Sequence, residues 1–240
     1  MALRELGLIL VLSLLPPLLF AIGVRNRENF QREPLRIVFR AFLYGGTIGA
    51  GAAFILNTLF GTAAARYLDV PIESILLTAV VAAPLFEELV KATGLPTAKK
   101  WIREWEDGIV YGAAVGLGFA ATENVLYGVT ALLDDGTSAA VSTVILRTVT
   151  STILHAATSS LVGFAYSLAF LRDRPVVEIL PAYLLAVFIH AVYNFTAIRS
   201  TLLMFALSAG VVWMIFLYMQ KQITRLDALP HGRWHRDGYE

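Results

Sequence analysis

The 240-residue sequence contains no cysteine, which excludes disulfides, thiolate metal sites and a cysteine nucleophile. Charge is scarce as well. Asp, Glu, Lys and Arg supply 15% of the residues against 57% hydrophobic ones, and the mean hydropathy is +0.67. Soluble domains carry about 25% charged residues, so this composition implies a polytopic membrane protein. The net charge of +1 gives no reason to expect a nucleic-acid partner, because the basic residues are scattered over short loops. No low-complexity tract or solenoid repeat is visible.

Apolar runs long enough to cross a bilayer, about 20 residues each, recur along the chain. Seven are predicted: Leu6–Val24, Ile37–Ala65, Pro71–Gly94, Gly108–Leu133, Thr137–Leu171, Ile179–Ile198 and Ser200–Gln220. The second and fifth are overlong, which suggests tilt or extension past the bilayer. The fold class is therefore an all-α membrane bundle. It forms one domain over residues 1–240, with its motifs in residues 84–194 and a polar tail at residues 221–240. The first run is followed by RNRENFQREPLR rather than by a small-residue cleavage site, so it reads as a retained helix. Thirteen of the 19 Lys and Arg residues lie on the side of that basic loop. By the positive-inside rule, the amino end is outside and the carboxyl end cytoplasmic.

Polar residues inside the runs are few: Arg40, Glu87, Glu88, Lys91, Glu123, Asn124, Arg147, His155, His190 and Asn194. An ionisable group at a helix centre costs roughly 2.5–3.5 kcal/mol on insertion scales, so such groups face a bundle interior or a cavity. Arg40 lies near an interface and is expected to snorkel. Lys91 follows Glu87 by four residues and Glu88 by three, so it reaches either carboxylate on one helix face. Glu123 and Tyr127, His155 and Ser159, and His190 and Asn194 are each four apart. Each span thus presents one short polar patch. Gly108, Gly112 and Gly116, continued by Ala120 and Asn124, form a ridge of small residues that admits a neighbouring backbone. Arg147 is a candidate counter-ion for one of the acids. His231 and His235 lie in the polar tail and read as solvated or interfacial.

Adjacent carboxylates in a low-dielectric site do not both ionise easily, so Glu87-Glu88 offers one base and one acid. A carboxylate can deprotonate water, a histidine can carry the proton, and a second histidine with an amide can stabilise an oxyanion. These parts suit water attack on an amide. HExxH and GxGD motifs are missing, no GxSx serine of the rhomboid kind lies deep in a run, and no aspartate does either, so glutamate must carry any peptide hydrolysis. One geometric demand stands out. At 1.5 Å per residue, straight helices would separate Glu87 and Glu123 in depth by more than about 10 Å, and convergence requires a kink at Pro84, a tilt or a shifted start.

Glu87-Glu88-x-x-Lys91, DGxxYGxxxGxGFAxxEN from Asp107 to Asn124, His155-x-x-x-Ser159 and His190-x-x-x-Asn194 follow in order on spans three to six. Together they resemble the PrsW family of intramembrane proteases, related to the CAAX prenyl endopeptidases. The resemblance implies a peptidase of the cell membrane that cuts single-span substrates of the anti-sigma-factor kind within the lipid bilayer. It implies that Glu87 or Glu88 activates water, that Glu123 and His155 assist, and that His190 and Asn194 form an oxyanion hole. Lys91, Asn124, Tyr127, Ser159 and Arg147 are supporting candidates. Lys91 occupies a position near one that the CAAX enzymes fill with arginine. A metal-free glutamate mechanism is expected, since Glu-Glu-x-x-Lys contains its own cation. The alternative is zinc held by His155, His190 and Glu123 with an open position. Two other readings compete. A non-catalytic scaffold resembling a structural subunit of gamma-secretase predicts loss of the glutamates, which are present. A proton-coupled transporter predicts an inverted repeat, which is not found.

Overall fold

The computed structural model describes residues 3–67 and 71–229, and every regular element in them is helical. Helix α1 spans Leu3–Arg25. Helices α2 (Leu35–Tyr44) and α3 (Ala50–Tyr67) form one rod joined by a π-helical turn at Gly45–Gly49. A second interrupted rod runs through α4 (Pro71–Leu76), a π-helical segment at Leu77–Ala82 and α5 (Ala83–Ala92). A 3₁₀ segment, Leu95–Trp101, leads to α6 (Asp107–Asp135). Then follow α7 (Thr137–Val149), α8 (Ser151–Leu171), α9 (Leu180–Arg199) and α10 (Leu202–Asp227).

Among the described residues, six segments are long and apolar enough to cross a membrane: Leu3–Arg25, Leu35–Tyr67, Asp107–Asp135, Thr137–Leu171, Val176–Arg199 and Leu202–Asp227. The run beginning at Pro71 is helical to Ala92 but carries Glu73, Glu87, Glu88 and Lys91, so it is not among these six. The chain is a multi-pass membrane protein. Two differences from the sequence reading concern the overlong fifth run and the tail. Thr150, at φ −122° and ψ −80°, interrupts the fifth run, so it consists of two successive helices, α7 and α8, rather than one regular helix. Residues 221–227, the first part of the expected polar tail, continue α10, and His231 and His235 fall outside the described residues.

Burial sorts the helices into a centre and a ring. In the most apolar windows, 78% of the α6 residues and 72% of the α7–α8 residues are buried, against 17–28% for the other spans. The ring helices present Phe188, Leu202 and Leu207 outward, as lipid-facing surfaces require. The small-residue ridge explains the central pair. A Cβ on Gly108 would lie 2.1 Å from the Gly163 carbonyl oxygen, and one on Gly112 would lie 2.2 Å from that of Ser159. Real Cβ atoms never approach so closely, so α6 and α8 pack backbone to backbone. On its other side α6 meets the α2–α3 rod as closely, for a Cβ on Gly118 would lie 1.8 Å from the Phe42 carbonyl oxygen.

The kink expected at Pro84 takes the form of the π-helical segment just before it. Proline has no N–H to donate back along the helix, and in the π register its partner would be the carbonyl five residues earlier, that of Ala79. Asn194 Nδ2 donates to that oxygen at 2.8 Å. Tyr183 on α9 likewise donates to the Leu85 carbonyl at 2.9 Å. The irregular rod is therefore stitched to α9 through side chains.

Candidate active site

Arg147, Glu123, His155, Lys91, Glu88 and His190, drawn from α5, α6, α7, α8 and α9, form one continuous hydrogen-bonded chain, and Glu87 stands beside it without a hydrogen bond to it. Lys91 Nζ donates to Glu88 Oε1 at 2.6 Å and lies 3.0 Å from His155 Nδ1. His155 Nε2 lies 2.8 Å from Glu123 Oε2, and His190 Nδ1 lies 2.8 Å from Glu88 Oε1. The depth mismatch expected of straight helices does not arise. Glu88, Lys91, His155 and His190 are each at most 2% exposed and Glu87 is 5% exposed, so their pairing offsets the cost of removing charge from water.

Protonation follows from the donors. An ammonium at Lys91 makes His155 Nδ1 an acceptor, which leaves Nε2–H to donate to Glu123. Glu88 Oε1 accepts from Lys91, from Thr158 Oγ1 at 3.1 Å and from His190 Nδ1–H. His190 Nε2 is then an acceptor, 3.7 Å from Glu87 Oε2. That separation is too long for a hydrogen bond between them. Glu87 Oε1 accepts from Asn57 Nδ2 at 3.1 Å, while its Oε2 is buried without a partner.

Arg147 closes the far end. The break at Thr150 turns the last turn of α7 toward α6, so Arg147 Nη2 donates to Glu123 Oε2 at 2.8 Å and Nε to Asn124 Oδ1 at 3.0 Å. Asn124 Nδ2 donates to Thr152 Oγ1 at 2.9 Å. Tyr127 joins through its ring, 3.8 Å below the Arg147 guanidinium carbon.

Not every expected residue belongs to this network. Ser159 Oγ is buried without a hydrogen-bond partner and serves the contact with Gly116. Asn194 stands one turn from His190, but its amide donates to Ala79. Arg40 donates to the Thr97 carbonyl, away from the site. Conversely, the sequence reading missed Asn57 and Thr158, which contact the two glutamates directly. Asn57 was visible as an amide within an apolar span.

The metal-ligand set also differs from expectation. Ligand atoms of Glu87, His155 and His190 lie within 4.8 Å of one another. Glu87 thus takes the place expected for Glu123, whose carboxylate is turned to Arg147. Glu87 Oε2 and His190 Nε2 fit the donor role, but His155 has both ring nitrogens engaged, one of them beside the Lys91 ammonium. As arranged, the three do not fit a metal ion.

Residues 33–220 match the family described as PrsW family intramembrane metalloprotease. A "Protease PrsW" of Geobacillus kaustophilus (strain HTA426) is 30% identical over 181 residues, covering 70% of each chain. Another, of Clostridioides difficile (strain 630), is 26% identical over 216 residues, covering 86% of this chain and 87% of its own. No solved structure matches. With the match spanning all the residues that converge between α5 and α9, the chain belongs to the PrsW family of intramembrane proteases.

Proposed function

We propose that this peptidase cleaves a single-span, membrane-anchored substrate in or near its transmembrane segment, with Glu87 as the base that activates water. The observation that carries the reading is the contrast between neighbouring glutamates. Each keeps one buried oxygen without a hydrogen-bond partner, but Glu88 Oε1 is held by Lys91, His190 and Thr158, whereas Glu87 accepts only from Asn57 and turns its Oε2 toward His190 Nε2 at 3.7 Å. A water between these atoms can contact both.

Glu87 takes a proton from this water as the oxygen bonds to the substrate carbonyl carbon. His190 Nε2 accepts the water's other hydrogen and so aims its oxygen at the carbonyl, while the Asn194 N–H not held by the Ala79 carbonyl is the donor available to the oxyanion. The C–N bond breaks, and Glu87 returns its proton to the leaving nitrogen. Glu88, Lys91, His155 and Glu123 position His190 and keep the site electrostatically paired. The family description implies a metal, and zinc on Glu87, His155 and His190 is the alternative. It would require His155 to release Lys91 or Glu123, which favours the metal-free route.

The substrate class follows from the resemblance to site-one proteases that cut anti-sigma factors, and the cell membrane is the expected location. The reading is tested by incubating the protein in proteoliposomes with a panel of single-span peptides, with and without a strong chelator, and mapping products by mass spectrometry. Cuts within or beside the apolar segment, unchanged by the chelator, are expected. Cuts restricted to soluble peptides contradict the substrate class, and loss of all cutting in chelator that Zn²⁺ restores and Mg²⁺ or Ca²⁺ does not contradicts the metal-free route.

A further inference from the structure

A second cluster of carboxylates lies at the end of the bundle where α1 ends and α6 begins. Glu28 and Glu33 come from the α1–α2 loop, and Asp107 is the first residue of α6. One oxygen of each lies within 4.8 Å of the others, and all three residues are buried. Glu28 is 1% exposed and Glu33 3% exposed, yet Glu28 Oε1 and Glu33 Oε2 have no hydrogen-bond partner.

Two neighbouring arginines are turned to backbone carbonyls, and Arg103 lines the adjoining cavity without a salt bridge to the cluster. Arg25 Nε donates to the Glu33 backbone carbonyl at 2.8 Å, and Arg32 Nε donates to that of Glu28 at 2.6 Å. Among the described residues none of the three carboxylates forms a salt bridge. Tyr111, one turn along α6 from Asp107 and on the same face, is fully buried with an unpartnered hydroxyl, and it interacts electrostatically with all three acids. A cavity of about 320 Å³ adjoins the cluster, lined in part by Glu33, Trp101, Arg103 and Asp107.

We propose that Glu28, Glu33 and Asp107 bind a hard divalent cation, Mg²⁺ or Ca²⁺, which clamps the α1–α2 loop to the start of α6. Oxygen-only donors select these ions over zinc or copper. Three carboxylates converging without a basic partner require a counter-charge, and the adjoining cavity admits water to complete the shell. The loop is already anchored for the purpose, since Asp227 of α10 accepts from the Asn29 amide at 2.7 Å. This site is separate from the active site and needs no assumption about the catalytic route.

The test is equilibrium dialysis and thermal unfolding of the full chain in detergent, stripped with chelator and then titrated with MgCl₂ or CaCl₂. The wild type should take up one ion per chain and gain about 5 °C at saturating ion. Glu33→Gln should lose both effects, and Glu87→Gln should keep them. Should Glu33→Gln not fold, Glu28→Gln replaces it. No uptake by the wild type, equal uptake by the cluster variants, or loss of uptake in Glu87→Gln would each overturn the proposal.

Discussion

Gly116 lies directly against the backbone of His155: a Cβ added to the glycine would sit 2.1 Å from the histidine carbonyl oxygen. Packing of α6 on α8 and placement of a site histidine are thus one event. Gly116→Ala must push α8 away, so it should destabilise the protein by about 1–3 kcal/mol and reduce cleavage by more than tenfold. At Gly51 a Cβ would meet nothing within 4 Å, and Gly51→Ala should leave cleavage unchanged while gaining about 0.5–1 kcal/mol of stability. Unfolding midpoints and cleavage rates of the two variants check both.

Arg147 joins α7 to Glu123, Asn124 and Ser151 through hydrogen bonds of 2.8, 3.0 and 3.1 Å. A lysine cannot reproduce that fork. Arg147→Lys should lower kcat about 10- to 100-fold with little change in KM, because the residue orients Glu123 rather than touching substrate. In a double-mutant cycle with Glu123→Gln the losses should be strongly non-additive.

Asn57 is the only described side chain that hydrogen-bonds Glu87. Asn57→Ala should lower cleavage about tenfold, the effect of losing about 1.4 kcal/mol of transition-state stabilisation. Steady-state kinetics at several pH values check this, since release of Glu87 should also move the pH profile, which a packing defect alone would not.

The Asn194 amide satisfies the Ala79 carbonyl that Pro84 leaves without an N–H. Asn194→Ala should therefore cost about 1 kcal/mol for an unsatisfied part-buried carbonyl. In a Pro84→Ala background the restored backbone N–H should reduce that cost, and thermal unfolding of the four proteins measures the difference.

Much of this site was legible in the sequence because an ionisable residue in an apolar span has so few permitted environments. Glu88, Lys91, His155 and His190 meet as their helical spacings suggested. The ridge from Gly108 to Gly116 faces α8 as small-residue periodicity implies. What was not legible depends on local breaks in the helices. Thr150 carries no breaker signature, so the turn that brings Arg147 to Glu123 was hidden within one apolar run. The π-helical segment before Pro84 likewise diverts Asn194 to the backbone, where spacing alone placed it beside His190. Asn57 was overlooked because a lone amide can also serve helix packing. Glu28 and Glu33 sit in a loop whose basic residues suggested only topology.

The most direct test of the account compares wild type, Glu87→Gln and Glu88→Gln for cleavage of one single-span peptide, with unfolding midpoints measured in parallel. Glu87→Gln should abolish cleavage while retaining a wild-type midpoint, because its Oε2 has no partner to lose. Glu88→Gln should lower both, since it disrupts the Lys91 and His190 contacts. Wild-type cleavage by a folded Glu87→Gln protein would contradict the assignment of Glu87 as the base.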